Sequence, residues 1–447
     1  MISAARPSTI LLALTVGCGA DPASEGEGSS SSPSTAGDAT DDPSLGTGPN
    51  TTATSSPGTT TEVDSSGGPS TTDDGSTGAP PPMCTGDDEC RPGTHCDLAT
   101  GTCRCDPGVA QCLGELPAGH WVELDGTAMQ DVFPPEGTVP GSRAAIVLAW
   151  SGGVYDRDRH RMVVWGGGHG DYSGNEVYAF DLEALAWSRL NDPSLDVGGD
   201  EASGYYPDGL PRSRHTYDYV VYVPELGAMC SAGGAGLWMS GQINVANFDC
   251  FDFDTLQWSS RAPTPEGSIG GIADYDPVAG RVAYVAGPGI RYLTDYDVAA
   301  DVWTTHGDNF TNGGLGYGLT GRVHPGARLF VGVGASAIYT WDLDVPGGVV
   351  ESTVALADAP PGFDRANPGL DYDASLDRLV WWGGGTSLWS LDLDGMTWVE
   401  HPAAPESTVV PPEPVANGTF GRFRYAIADD VFVLVNQTDQ NVFARRL

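Results

Sequence analysis

Short apolar runs separated by polar turns repeat six times between residues 145 and 447. Each repeat starts at an aromatic or apolar anchor, and the core of an apolar run follows seven residues later. The anchors are Tyr155, Tyr222, Tyr275, Val323, Tyr372 and Tyr425. The runs contain Met162, Met229, Val282, Phe330, Leu379 and Phe432. Short apolar runs bounded by turn residues predict β-strands.

A second pattern follows in each unit: an apolar residue, then Asp, then Trp six residues after that Asp. It occurs at Asp181 and Trp187, at Asp252 and Trp258, at Asp297 and Trp303, and at Asp392 and Trp398. The pattern also starts at Asp342, but Pro346 interrupts it before any Trp. Four short strands per unit of 48 to 67 residues are typical of β-propeller blades, which stack in a ring because one blade cannot bury both of its faces.

The same units carry a glycine eleven residues after four of the anchors, at Gly166, Gly233, Gly334 and Gly383. Together with the spaced aromatic residue and the Trp, this resembles the Kelch repeat of galactose-oxidase-like propellers, best over residues 155–187, 222–258 and 372–398. The resemblance implies an all-β propeller over residues 114–447. It implies little about function.

The chain ends predict how the ring closes. The sixth unit supplies strands at 420–430, 431–436 and 441–444, but no Trp strand, and the missing strand with its Trp is found at 119–125. We expect this N-terminal strand to complete the last blade, because pairing removes two exposed edges. Six blades are therefore predicted. Seven would need a further unit near residue 105, where the sequence is rich in cysteine instead.

The N-terminus predicts export. Arg6 precedes an apolar run at 10–16, and Thr15-Val16-Gly17-Cys18 resembles a bacterial lipobox in which Cys18 is lipidated. Residues 1–18 are then a lipoprotein signal peptide, and the protein is attached to the outer membrane or cell surface through the lipid alone. Thr15 stands where Leu is usual, so an ordinary secretory signal with an incidental cysteine stays open.

Two segments separate the signal from the propeller. Residues 19–82 are almost entirely Ser, Thr, Gly, Pro, Ala and Asp, which predicts a disordered linker. Residues 83–113 contain Cys84, Cys90, Cys96, Cys103, Cys105 and Cys112, which predicts a module with three disulfides of open connectivity that resembles EGF-like modules. Zinc bound with His95 is the alternative. In the second blade, Cys230 and Cys250 fall on neighbouring strands and predict a cross-strand disulfide.

The charge of the chain limits the classes of partner that the protein is expected to bind. The chain has 59 acidic residues against 21 basic ones, and its net charge of -38 argues against nucleic acid and anionic lipid. All the basic residues are arginine. Arg143, Arg365, Arg422 and Arg424 fall near blade entries, which suggests a locally basic funnel at one mouth of the ring.

Two unusual loops are expected to meet at that mouth. One joins the second and third strands of the first blade (166–176), and the other enters the second blade (211–217). We predict His169, His215 and Tyr217 as candidate catalytic residues. The candidate binding residues are Asp171, Tyr172, Arg212 and Arg214.

This set suits an acidic sugar, because Arg can fork a carboxylate, Tyr can stack on a ring, and His can exchange a proton near neutral pH. The alternative is structural: His169 capping a Gly-rich turn and Arg214 paired with an interblade Asp.

Two functions remain open: a surface module that binds carbohydrate or protein partners, and a carbohydrate-active enzyme resembling polysaccharide lyases or, less closely, galactose oxidase. No cofactor and no metal site are predicted, and a structural metal ion in the channel stays open.

Overall fold

The computed structural model describes residues 113–239, 244–267, 269–287, 292–307, 318–346 and 359–447, with residue 86 and short strands at 94–97, 102–105 and 350–352. The predicted signal peptide, Cys18, the linker and most of the cysteine-rich module lie outside the described residues. Of that module, β1 (Thr94–Asp97) and β2 (Thr102–Cys105) form an antiparallel hairpin in which Cys96 is disulfide-bonded. No helix within the described residues has the length and hydropathy needed to cross a membrane.

Six four-stranded antiparallel sheets are formed by the described residues of the propeller, and each sheet is one blade. Blade 1 contains β4 (Gly153–Asp156), β5 (Arg161–Val164), β6 (Tyr178–Asp181) and β7 (Ala186–Arg189). Blade 2 contains β8 (Val220–Val223), β9 (Ala228–Ala235), β10 (Asn244–Asp252) and β11 (Gln257–Arg261). Blade 3 contains β12 (Ile272–Asp276), β13 (Arg281–Val285), β14 (Thr294–Asp297) and β15 (Val302–Thr305).

The last three blades follow the same order. Blade 4 contains β16 (Thr320–His324), β17 (Leu329–Gly334), β18 (Ala337–Asp342) and β19 (Val350–Ser352). Blade 5 contains β20 (Gly369–Asp373), β21 (Arg378–Trp382), β22 (Leu388–Asp392) and β23 (Thr397–His401). Blade 6 contains β24 (Phe423–Ala426), β25 (Val431–Leu434), β26 (Val442–Arg445) and β3 (Trp121–Leu124).

Helical segments in the described residues are single turns between these strands. They are α1 (Ala145–Leu148) and 3-10 turns at Leu113–Glu115, Met129–Val132, Glu201–Ser203, Pro224–Leu226 and Phe420–Arg422.

The ring closes through strands from the two ends of the propeller domain. β3 pairs with β26, with Leu124 opposite Val442 and Trp121 opposite Arg445. The inner strands β4, β8, β12, β16, β20 and β24 are neighbours in that order, and β24 contacts β4. The prediction of six blades closed by an N-terminal strand is confirmed, and the seven-blade alternative is wrong.

Trp121 shows what stabilises the closure. Its side chain is buried, packs in one cluster with Trp382 and Phe423, and donates its indole N–H to the Thr386 carbonyl at 2.9 Å. Truncating a buried aromatic side chain of this size typically costs about 3–5 kcal/mol. The closing strand is therefore fixed by core packing as well as by its ladder.

The repeated Asp residues stabilise turns. Asp181 accepts from the backbone N–H groups of Glu183 and Ala184, and Asp342 accepts from those of Asp344 and Val345. A carboxylate that caps the hairpin turn after its own strand explains why Asp recurs at this position in blades with and without the following Trp.

A disulfide joins the middle strands of blade 2. Cys230 on β9 lies directly opposite Cys250 on β10, with 4.0 Å between their Cα atoms. Both side chains are buried in the core cluster that blade 2 shares with blade 3. The two middle strands are therefore covalently joined.

Candidate functional site at one mouth of the axis

The two loops singled out in the sequence meet at one end of the axis. His169 lies in the loop between β5 and β6, and His215 lies in the segment that enters β8. Their rings are 5.8 Å apart between centroids. Second-to-third loops and blade entries share an end of the ring because neighbouring strands run in opposite directions. We call Trp150, His169, Asp171, His215 and Tyr217 the histidine rim.

Glycine allows the two loops to pack backbone against backbone. A Cβ on Gly168 would lie 2.5 Å from the Arg214 Cα, and φ at Gly168 is +90°. Two backbone hydrogen bonds also hold His169 against the segment that follows β9. The His169 N–H donates to the Gly236 carbonyl (2.6 Å), and the Met239 N–H donates to the His169 carbonyl (2.7 Å). His169 is thus held by its backbone, and its half-buried side chain is left at the surface of the mouth.

His215 is packed from several sides. Its backbone N–H donates to Ala235 (2.9 Å), and its ring lies 4.9 Å from the Trp150 ring between centroids. Nε2 is 3.3 Å from Oδ2 of Asp171. The Nδ1–Cε1 edge faces Gly236, where a Cβ would come within 2.9 Å of Nδ1. Nε2 of His215 is therefore engaged by Asp171, while the Nδ1 edge is packed against Gly236.

Burial sets the protonation of His215. Desolvation lowers its pKa most, the hydrogen bond and charge of Asp171 oppose this, and nearby His169 lowers it further. The ring is consequently neutral at pH 7, with Nε2 donating to the carboxylate. Asp171, whose side chain is 43% exposed, is the oriented and accessible partner of the pair.

Three of the predicted binding residues lie in the interior. Tyr172 is fully buried, and its hydroxyl donates to Glu176 at 2.7 Å, while burial and the Glu176 charge raise its pKa well above the usual range. Arg212 donates to the Tyr205 (3.1 Å) and Val197 (3.4 Å) carbonyls. The Tyr172 side chain thus stabilises the loop between β5 and β6, and the Arg212 side chain holds the long loop between blades 1 and 2.

Arg214 is also buried. It donates to the Gly204 carbonyl (3.1 Å) and to Asp249 on β10 (3.2 Å). Arg214 therefore pairs with an Asp, as in its structural alternative, but Asp249 lies within blade 2 and not between blades.

The arginines do not form a basic funnel. Arg422 is buried and donates to the Ser151 carbonyl (2.9 Å), Arg424 is buried beside Asp371 (3.2 Å), and Arg365 pairs with Glu413 (2.9 Å). Arg143 donates to the Pro134 carbonyl at 2.6 Å. Because carbonyls and carboxylates engage these guanidinium groups, the expectation of a basic mouth is wrong.

Sequence reasoning missed Trp150 and the ring to which it belongs. The residue five before each anchor has a left-handed backbone in five blades: Trp150, Tyr217, Gly270, Asn367 and Phe420. Hydrogen bonds join neighbouring members, as from the Tyr217 N–H to the Trp150 carbonyl (2.6 Å). Aligning the repeats on their anchors would have revealed this position.

The members of this ring differ in side chain around the axis. Tyr217 of blade 2 and Phe420 of blade 6 are in edge-to-face contact at 5.9 Å between centroids, although blade 1 separates their blades. Both rings therefore reach inward and cover the axis. The mouth is aromatic along blades 6, 1 and 2, where the histidine rim lies.

No group of three or more His, Cys, Asp or Glu side chains among the described residues is arranged to hold a metal ion.

Comparison with known proteins provides little information about the family or the ligand of this chain. No protein-family model matches the chain, and no curated protein matches it in sequence. A structural-genomics protein of unknown function from Bacteroides thetaiotaomicron has a similar structure, with a TM-score of 0.46 and 10% sequence identity, over 73% of this chain and 75% of that one. The comparison identifies neither a family nor a ligand.

Proposed function

We propose that this protein is an exported, lipid-anchored, Kelch-type propeller that binds carbohydrate through the histidine rim. Cys18 carries the lipid, residues 19–82 act as the tether, and the EGF-like cysteine module at 83–113 is a spacer. The propeller fold is compatible with such a binding role. The lipid, the tether and the module are inferred from the sequence.

The observation that carries the proposal is the Asp171 carboxylate held by His215 beside the half-buried Trp150 and His169 side chains. Sugars present hydroxyl groups along one edge and C–H groups on their ring faces. A fixed carboxylate and an imidazole can bond the hydroxyls, while an indole offers apolar ring surface. A sugar site needs only a few well-placed polar groups beside an aromatic surface to fix the orientation of the bound sugar.

A carbohydrate-active enzyme is the second candidate, because two histidines approach within 5.8 Å of each other. Elimination from a uronic acid would need a base and a neutraliser for the carboxylate. Arg212 and Arg214 are engaged elsewhere, and His215 would first have to release Asp171 or move away from Gly236. An oxidase with a cysteine-modified tyrosine has less support, since Cys230 and Cys250 are bonded to each other. The binding function is therefore preferred.

The test is equilibrium binding of the purified full chain to a panel of neutral and acidic polysaccharides, with new unsaturated ends scored in parallel. We expect retention without new ends. Trp150→Ala and Asp171→Asn should each weaken retention about tenfold, or about 1.4 kcal/mol. Asp125→Asn, at an exposed position outside the rim, is the matched control and should bind like the wild type.

Two results would change the assignment. Unsaturated ends that disappear in His169→Ala would make the protein a lyase. Absence of binding to every polysaccharide, or binding that Asp171→Asn and Trp150→Ala leave intact, would remove the rim as a carbohydrate site and leave a protein partner as the alternative.

A further inference from the structure

The inner strands carry an alternating set of charges around the opposite part of the axis. The residue just before each anchor is Asp274, Arg322, Asp371 and Arg424 in blades 3 to 6, and Val154 and Val221 in blades 1 and 2. Asp218, at the entry to blade 2, reaches the same set through Arg322. Three carboxylates thus face two guanidinium groups, an excess of one negative charge.

Ion pairs connect every member of this axial set except Asp274. Arg322 Nη1 donates to Asp218 at 2.8 Å, and its Nε is 3.3 Å from Asp371, which also accepts from Arg424 at 3.2 Å. Among the described residues, Asp274 has a hydrogen bond from the Val323 N–H (2.8 Å) and no arginine within ion-pair distance. The excess charge is therefore located at Asp274.

Asp274 lines a pocket that opens at the end of the axis away from the histidine rim. This axial pocket has a volume of about 150 Å³. Asp274, Asp371, Arg157 and Arg424 are its charged lining residues, and Tyr155, Tyr222 and Tyr275 are the aromatic residues of its wall.

The three tyrosines contribute ring surface to this pocket, because their hydroxyls are already bonded. Tyr155 bonds to Nδ1 of His160 (2.7 Å) and Tyr222 donates to Asp158 (2.6 Å). Tyr275 donates to Glu225. One of these rings already has a cation near it: the Arg157 guanidinium carbon lies 5.9 Å from the Tyr275 centroid.

We propose that the axial pocket binds a small organic cation, a primary alkylammonium, whose charge pairs with Asp274 among the three tyrosine rings. A partly buried carboxylate that accepts a hydrogen bond but has no ion-pair partner is unfavourable, and an incoming ammonium supplies the opposite charge. Tyrosine rings attract cations through their electron-rich faces. The acidic protein also concentrates cations near its surface.

The charged groups around Asp274 set the pH dependence. Burial is the largest effect and raises the pKa of Asp274 to about 6, Arg322 and Arg424 lower it, and Asp371 raises it. Other charged groups near the pocket are Asp218, which pairs with Arg322, the pocket residue Arg157, and Asp158 and Glu225, which accept from Tyr222 and Tyr275. The titratable His160 bonds to Tyr155. At pH 7.5 Asp274 is ionised. At pH 5 only about one-tenth of the Asp274 carboxyl groups are ionised. The affinity for a cation should therefore fall about tenfold from pH 7.5 to pH 5.

The test is ligand-observed NMR titration of the full chain with n-butylamine and with 1-butanol, its uncharged analogue. At pH 7.5 the amine should bind and the alcohol should bind at least about tenfold more weakly. Asp274→Asn keeps an oxygen that can accept from the Val323 N–H but loses the charge. It should weaken binding of the amine about tenfold. Asp125→Asn is the control and should leave the affinity unchanged.

Equal binding of amine and alcohol, or amine binding that survives in Asp274→Asn, would overturn the proposal. So would a neutral monosaccharide that competes with the amine and binds more tightly. Should Asp274→Asn fail to fold, the wild-type pH series and Tyr222→Leu decide instead. Affinity that is unchanged both at pH 5 and in Tyr222→Leu would equally overturn it.

Discussion

Buried arginines are the residue-scale feature on which this propeller depends. Arg212, Arg214, Arg322, Arg422 and Arg445 are all essentially inaccessible to solvent. Arg422 shows why arginine is used: it donates to Ser151 at the start of blade 1 (2.9 Å) and to Val435 of blade 6 (2.6 Å). A planar guanidinium can donate in several directions, which a lysine ammonium does with less geometric control. Burial without a nearby carboxylate lowers the pKa of Arg422 to about 9.

Arg322→Met tests the buried ion pairs. Removing the guanidinium leaves Asp218 and Asp371 without their shared cation, so the free energy of unfolding in urea at pH 7.5 should fall by about 3–5 kcal/mol. Arg281→Met is the matched control, because its side chain is 43% exposed where it pairs with Asp295, and it should change stability by no more than about 1 kcal/mol. Equal losses in the two variants would contradict a special role for the axial pairs.

Sequence reasoning brought the two histidines together but could not separate surface arginines from buried ones. The repeat predicts the direction of each strand, and strand direction alone places His169 and His215 at the same end of the ring. Whether Arg212 faces a ligand or the Tyr205 carbonyl depends on the path of a long loop between blades, and no periodicity encodes that path. Local spacing therefore predicted the site's location better than its chemistry.

At the element scale, the strands were predictable where the repeat is complete. The predicted closing segment 119–125 contains β3 (Trp121–Leu124), and the predicted run 431–436 contains β25 (Val431–Leu434). The short helix α1 (Ala145–Leu148) was not foreseen, because a single turn between strands leaves no periodic signal. In blade 4 the described part of the outer strand is Val350–Ser352, although this blade lacks the Trp that the pattern has in blades 1, 2, 3 and 5.

The disulfide of blade 2 gives a prediction for one element. The Cys230→Ala/Cys250→Ala double variant removes a cross-link between residues 20 apart, which should lower the free energy of unfolding by about 2–4 kcal/mol through the greater entropy of the unfolded chain. Equilibrium unfolding in urea measures this change in the free energy of unfolding. Adding reductant to the double variant isolates any contribution from the cysteine-rich module. A change below about 0.5 kcal/mol would show that the strand pairing alone holds β9 to β10.

At the scale of the whole molecule, closure of the ring assembles both candidate sites. The mouth carries Phe420 from blade 6 beside Trp150 and Tyr217 from blades 1 and 2. The axial pocket likewise combines Arg424 from blade 6 with Tyr155 from blade 1. Blades 6 and 1 are neighbours only if β3 completes the last blade and β24 packs on β4. An open row of blades would have neither site.

Hydrogen–deuterium exchange of the full chain, read by mass spectrometry on peptides covering Trp121–Leu124 and Val442–Arg445, tests this closure most directly. We expect the amides of both strands to exchange together and slowly, at the rate of the inner strand Phe423–Ala426, because they open only when the ring unfolds. Rapid exchange of Trp121–Leu124 while Phe423–Ala426 stays protected would contradict a ring closed by its N-terminal strand.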